Sequence, residues 1–175
     1  KENSYAIYGL GLSGTSVHKF LKKNKVTKIY IWDDKKNSKN TKKFNLFYNS
    51  LNKVDYIVIS PGIDIKLTSF KSILYKNRKK IITDLDLFYM QNLPVKSIVV
   101  TGTNGKSTTC KLIQHVLRTN KMDAQLGGNI GKPILDLKIK KKSIVIIEAS
   151  SFQLFYTKFI KPTFAAILNI TKDHL

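Results

Sequence analysis

Ser97-Ile-Val-Val-Thr-Gly-Thr-Asn-Gly-Lys-Ser-Thr108 is the stretch whose reading decides the fold. Ser97 to Val100 is an apolar run of strand type, Thr101 to Gly105 is a glycine-rich turn, and Leu112, Ile113, Val116 and Leu117 recur beyond it at helical spacing. A strand that passes through a glycine turn into a helix is one βα unit. Glycines at such a turn let backbone N–H groups close on phosphate oxygens at the helix N-terminus. Gly102, Thr103, Asn104, Gly105, Lys106, Ser107 and Thr108 are therefore expected to hold the phosphates of a nucleotide, with Lys106 at the outer phosphates and the Ser107 hydroxyl offered to Mg²⁺. The usual phosphate-loop spacing places a glycine at position 100, where this chain has Val100, so the loop is a shortened variant. The structural alternative is a plain glycine turn before a lysine-containing helix.

Towards the N-terminus the same alternation is found. Ser4 to Tyr8 reads as a strand running into Gly9-Leu-Gly-Leu-Ser-Gly14, followed by Val17, Phe20 and Leu21 at helical spacing. Further strands are expected at Lys28 to Trp32, ending in Asp33 and Asp34; at Val54 to Ser60, ending at Pro61-Gly62; and around Ile81 and Ile82. Helices are expected through Phe70, Ile73 and Leu74 and from near Asp84. Strands alternating with helices predict a parallel sheet covered on both faces. Gly9, Gly11 and Gly14, with Asp33 about 20 residues on, match the dinucleotide fingerprint literally. That match makes an NAD(P)-dependent oxidoreductase an alternative, although the same geometry suits any nucleotide diphosphate.

Beyond the central stretch, Gly127-Gly-Asn-Ile-Gly131 reads as a turn, and Ser143 to Ile147 as a buried strand closed by Glu148. Thr163 to Asn169 reads as another strand, ending near Asp173 and His174. A carboxylate at the strand end is placed to bind Mg²⁺ held by a nucleotide, although a strand-end Glu also serves as a solvated residue or helix cap. His174 is suited to bind a metal or orient a substrate group, and equally to be an ordinary loop histidine. Asn129 is either a hydrogen-bonding residue or a turn former. Leu93-Pro94 breaks the alternation, which sets the expected domains at 1–92 and 93–175.

Composition bounds the rest. The chain has 175 residues and 42% hydrophobic content, enough for packed cores. Neither a membrane span nor a signal peptide is legible, so the expected location is cytoplasmic, with no membrane partner. The single cysteine, Cys110, makes no internal disulfide and reads as a small buried side chain. The formal charge of +20 raises a nucleic-acid reading, but the positive residues are lysines except for Arg78 and Arg118 and are spread along the chain. That predicts solvated lysine faces with no nucleic-acid partner, and some attraction for an anionic ligand.

The ordered blocks Gly102-Thr-Asn-Gly-Lys-Ser107, Ser60-Pro-Gly-Ile63, Gly127-Gly-Asn-Ile-Gly131, Glu148-Ala-Ser-Ser-Phe-Gln-Leu154 and Leu168-Asn-Ile-Thr-Lys-Asp-His174 resemble the Mur ligases. Among them the pattern is most similar to the branch that adds D-glutamate to UDP-N-acetylmuramoyl-L-alanine in peptidoglycan precursor synthesis. The alternatives are a sister Mur ligase or a relative of folylpolyglutamate synthase. The resemblance implies an α/β fold with a Rossmann-like N-terminal domain followed by the start of a P-loop-type ATP-binding domain. It implies a UDP-substrate site including Gly11, Leu12, Ser13, Gly14, Asp33, Asp34, Ser60, Pro61 and Gly62, with Asn129, Ser151 and Gln153 contacting the muramoyl substrate. Lys106 and His174 would be catalytic, and Ser107, Glu148 and His174 would serve metal. ATP and Mg²⁺ are the implied cofactors, and a monomer the implied state. Ala149 and Lys172 depart from the family pattern. Both ends read as cut, which implies that the C-terminal domain presenting D-glutamate is absent and that the chain alone does not turn over.

Overall fold

Chain segments that read as uniformly apolar runs become the interior strands of two parallel sheets, because a strand covered by helices on both faces has no solvent side to alternate towards. The computed structural model describes residues 2–37 and 41–172. Two units result, residues 1–84 and 85–175.

In the first unit β1 (Tyr5–Tyr8), α1 (Leu12–Lys23), β2 (Ile29–Trp32), α2 (Lys42–Lys53), β3 (Tyr56–Ile59), α3 (Lys71–Lys76) and β4 (Ile81–Ile82) follow in order. The sheet order is β2-β1-β3-β4, all pairs parallel, with Tyr5 of β1 opposite Ile29 and Tyr56. All four residues of β1 are buried. Helix α1 buries Val17 and Leu21 and ends in Lys22 and Lys23, whose charges suit the negative end of the helix dipole. Helix α2 is not apparent from the sequence reading. Its N-cap is Thr41, whose Oγ1 accepts from the Phe44 N–H at 3.2 Å. Its inner face carries Phe47 and Leu51, and Phe44 and Phe47 join Trp32, Phe70 and Tyr8 in an aromatic cluster. Within it Phe44 stacks on Phe70 at 4.8 Å and Trp32 meets Phe70 edge-on at 5.6 Å.

The second unit contains α4 (Asp84–Met90), β5 (Lys96–Thr101), α5 (Lys106–Thr119), β6 (Ala124–Gly128), β7 (Ile144–Glu148), α6 (Ser151–Tyr156) and β8 (Phe164–Ile167). The sheet order is β6-β7-β5-β8, again all parallel. Strand periodicity sorts its core into two layers. Val99, Val145 and Ile147 face one way and pack with Leu85, Phe88 and Ile134, while Val100 and Ile146 face the other and pack with Cys110 and Ala124. Because Leu85 and Phe88 belong to the first of these layers, the contact division falls at the start of α4, ahead of the Leu93-Pro94 break in the sequence. Two further elements differ from the sequence reading. The Gly127 to Gly131 turn begins inside a strand, β6, and a helix, α6, follows Glu148.

Candidate functional site

Strand β5 lies beside β7 with Val100 opposite Glu148, so the phosphate-type loop and the strand-end carboxylate emerge side by side. The loop turns on two glycines in positive-φ backbone, Gly102 at +140° and Gly105 at +82°. Gly105 is the N-cap of α5 and no side chain caps this helix, which leaves its first-turn N–H groups to an incoming anion. Lys106 sends its ammonium back along the loop, donating to the carbonyls of Gly102 at 2.7 Å and Thr103 at 2.8 Å.

The Ser107 hydroxyl donates to Glu148 Oε2 at 2.8 Å, and Asn129 Nδ2 donates to Oε1 at 3.1 Å. Asn129 is also tied by its backbone N–H to the Glu148 carbonyl at 2.8 Å. This close approach requires Gly128, at φ +105°, where an added Cβ would stand 2.4 Å from the Glu148 carbonyl oxygen. Glu148 is 1% exposed. Its negative charge adds to the effect of burial on Cys110, whose thiol is pushed up to about 11.

A carboxylate and a hydroxyl within hydrogen-bond distance are hard oxygen donors of the kind Mg²⁺ takes, and Mg²⁺ commonly draws its remaining ligands from water and substrate phosphates. Among the described residues no group of three or more His, Cys, Asp or Glu side chains gathers to hold a metal by itself. His174, expected at this site, lies outside the described residues.

The sequence reading missed Asn169. It follows β8 and contacts the loop, as does Thr171, whose N–H donates to Thr103 Oγ1 at 3.1 Å. The available signal was the amide side chain just past a strand end, the edge where ligand residues collect.

In the first unit, β1 is followed in space by β3 on one side and β2 on the other, which makes the carboxyl end of β1 the topological switch point. The three glycines there differ in their surroundings. Gly9 holds φ +91° against Ser60, whose hydroxyl donates to its carbonyl at 2.9 Å. Gly14 packs so closely that a Cβ would meet the Gly9 carbonyl oxygen at 1.9 Å. Around Gly11 nothing lies within 4 Å of an added Cβ, so the fold itself leaves that space open. Leu12 and Ser13 open α1 just beyond it, and α1 also lacks a side-chain cap. Pro61 and Gly62 form the turn after β3, closed by the Ile63 N–H on the Ser60 carbonyl at 3.0 Å.

Asp33 and Asp34 reach this edge with partners already in place. Asp33 accepts from the Leu10 N–H at 2.6 Å and the Lys35 N–H at 2.9 Å. Burial works against its charge, but these donors and the Lys36 ammonium hold its carboxyl below the usual carboxylate range. Asp34 accepts from the Tyr8 hydroxyl at 2.5 Å and from Trp32 Nε1 at 2.7 Å. A cavity of about 400 Å³ adjoins this edge, lined in part by Leu10, Ile31, Lys36, Asn37, Lys43 and Phe47. A comparable cavity in the second unit, lined in part by Tyr89, Val95, Ser97, Phe159 and Lys161, sits by the start of β5, away from the phosphate loop.

Ser151 is exposed at the first turn of α6, whereas Gln153 is buried within a capping box. The Gln153 N–H donates to Ser150 Oγ at 3.2 Å, and the Ser150 N–H donates to Gln153 Oε1 at 3.1 Å.

Residues 3–82 match the Mur ligase MurD-like N-terminal domain and residues 100–175 the Mur ligase middle domain. The chain belongs to the Mur ligase family. Within the family its relatives include three proteins named UDP-N-acetylmuramoylalanine–D-glutamate ligase. That of Rickettsia prowazekii is 40% identical over 184 residues, covering 100% of this chain and 40% of the relative. That of Buchnera aphidicola from Acyrthosiphon pisum is 42% identical over 183 residues, covering 97% and 40%. That of Wolbachia pipientis is 36% identical over 184 residues, covering 100% and 36%. The chain thus spans about 40% of the length of the first of these relatives. The crystal structure of a UDP-N-acetylmuramate:L-alanyl-gamma-D-glutamyl-meso-diaminopimelate ligase from Neisseria meningitides shares the fold, with a TM-score of 0.55 at 17% identity over 99% of this chain and 62% of that one. Among the described residues no helix is long and apolar enough to cross a membrane.

Proposed function

We propose that this chain supplies the nucleotide-sugar and ATP units of a cytoplasmic, monomeric ligase that joins D-glutamate to UDP-N-acetylmuramoyl-L-alanine. The observation that carries the reading is the pairing of Ser107 with Glu148 beneath an uncapped helix N-terminus. The shared name of the relatives supports the choice of substrate. In this reading residues 1–92 hold the UDP moiety and residues 93–175 hold ATP. The open space at Gly11 admits the pyrophosphate to the start of α1, with Leu12, Ser13 and the Ser60-Pro61-Gly62 turn around it. Asp33 shapes that turn by fixing Leu10, and Asp34 presents a carboxylate oriented by Tyr8 and Trp32.

In the reaction proposed, the L-alanine carboxylate takes the γ-phosphoryl group of ATP and ADP departs. The D-glutamate amine then attacks the acyl carbon, loses a proton and expels phosphate as the amide forms. A carboxylate is a poor electrophile, so the protein's task is to stabilise charge on the phosphoryl oxygens. Lys106 exchanges the loop carbonyls for those oxygens, and the α5 N–H groups bind beside it. Mg²⁺, when bound, supplies Lewis-acid neutralisation of the same oxygens. Ser107 and Glu148 would hold it, Asn129 keeps Glu148 oriented and, with Ser151, is near enough to the strand ends to meet the muramoyl group. Gln153 contributes by fixing the start of α6. His174 is proposed as a further metal and catalytic residue.

Ligand-induced thermal stabilisation tests this. A ligand at 100 times its dissociation constant stabilises by about 2.7 kcal/mol. UDP-N-acetylmuramoyl-L-alanine and Mg-ATP should each raise the melting temperature, and NAD should not. A shift with NAD alone would overturn the reading in favour of an oxidoreductase.

A further inference from the structure

The phosphate loop has little structure of its own, and the side chain that holds its shape lies outside it. Asn169 Oδ1 accepts from the Asn104 N–H at 2.9 Å, while its Nδ2 donates to the Asn104 carbonyl at 3.0 Å. One side-chain amide thus satisfies both polar groups of one residue's main chain, as a neighbouring strand would. The Asn169 carbonyl also accepts from the Thr103 N–H at 3.1 Å. Gly102 lies so close that an added Cβ would stand 3.1 Å from both the N and the O of Asn169. Thr171 extends the clamp, accepting at its carbonyl from Thr103 Oγ1 at 3.3 Å.

We propose that Asn169 is a positioning residue for the phosphate loop, setting ATP affinity by holding the Asn104 peptide groups so that the loop is formed before the nucleotide arrives. The inference rests on the ATP reading of this loop. A donor and an acceptor on one short planar group are both required. Aspartate keeps the acceptor and loses the donor, and leucine loses both. Without the clamp, a loop with two positive-φ glycines samples many conformations, and binding must then supply the ordering free energy. Lys106 cannot substitute, since it only donates and its targets are the Gly102 and Thr103 carbonyls.

The test compares Asn169→Leu and Asn169→Asp with wild type by calorimetric titration of Mg-ATP and of UDP-N-acetylmuramoyl-L-alanine, with Lys106→Ala as the control for the ATP site. Losing two hydrogen bonds that preorganise the loop should weaken Mg-ATP by about tenfold in the leucine variant. The muramoyl nucleotide should bind both variants as it binds wild type. Amide hydrogen exchange supplies a readout that generalised loosening of the unit does not mimic: the Asn104 N–H should exchange faster in the leucine variant, with the strand amides of β5 unchanged. Wild-type Mg-ATP affinity in a folded leucine variant overturns the proposal. If that variant fails to fold, wild-type affinity in the aspartate variant does the same. If wild type itself does not bind Mg-ATP, the ATP reading fails and this proposal with it. If wild type binds, Lys106→Ala does not and both Asn169 variants bind normally, the role of Asn169 alone is refuted.

Discussion

The Ser107 hydroxyl and the Glu148 carboxylate meet at 2.8 Å, joining the first turn of α5 to the end of β7. The pair exists because β5 and β7 are parallel neighbours in register, which brings the loop after one strand to the last residue of the other.

Glu148→Gln should preserve the fold, because the amide oxygen still accepts a hydrogen bond, while removing the charge that attracts Mg²⁺. ATP binding measured by calorimetry with and without Mg²⁺ should lose most of its metal dependence. Unchanged dependence would show that Glu148 does not face the metal. Glu148→Ala should be harsher, costing about 1–3 kcal/mol of stability by leaving the Ser107 and Asn129 donors without their partner.

Lys106→Ala removes the charged group nearest the loop carbonyls. Mg-ATP affinity should fall by about tenfold to a hundredfold, the range for a charge-assisted hydrogen bond. Binding of the muramoyl nucleotide should be unaffected, and a joint loss in the same titrations would point to unfolding.

Gly11→Ala and Gly14→Ala should separate binding from folding. Gly14→Ala drives a methyl group into the Gly9 carbonyl and should destabilise the first unit by about 1–3 kcal/mol or more. Gly11→Ala meets nothing and sits at φ −68°, so the melting temperature should change little while affinity for UDP-N-acetylmuramoyl-L-alanine drops. Full affinity in the Gly11 variant would place the pyrophosphate elsewhere.

Asp33 makes the first unit sensitive to acid. Its carboxyl is depressed in the folded state, so its stabilisation is present above the ordinary carboxylate value of about 3.9 and lost as pH falls through the lower folded value. In Asp33→Asn the decline below about pH 4 should be shallower in thermal melts, because the differential proton uptake is gone. Parallel curves for the two proteins would remove Asp33 as the source.

Cys110 should resist thiol reagents in the folded protein. It is fully buried and its thiol is pushed up to about 11, so thiolate is scarce at neutral pH. Labelling at pH 8 should proceed at the rate of opening and become fast in denaturant. Rapid labelling of the native chain would contradict the packing of α5 on β5 and β7.

Much of this was legible in the sequence because glycines and strand ends are local signals. The Gly9 to Gly14 and Gly102 to Ser107 turns both stand where the βα pattern places them. Helix α2 was missed although Thr41, Phe44, Phe47 and Leu51 carry cap and spacing, because the segment's lysines and asparagines resemble the chain's general composition. Strand β6 was missed because Gly127 and Gly128 read as a turn, and only pairing with β7 makes such a sequence extended. Ser150-x-x-Gln153 spells a capping box, yet the resemblance directed attention to substrate contact and the helix start went unread. The contacts of Asp33 with the Leu10 N–H, of Asp34 with the Tyr8 hydroxyl and of Asn169 with the Asn104 main chain are tertiary. Asn104 is 65 residues from Asn169, and no local pattern reports that spacing.

The chain has one tryptophan, Trp32, lodged among Phe44, Phe47 and Phe70 with its indole N–H on Asp34. Its emission therefore observes the first unit alone, whereas far-ultraviolet circular dichroism observes both. Denaturant titrations followed by the two signals will superimpose only if the halves melt as one cooperative body, so nature has already installed the label that distinguishes a single transition from two.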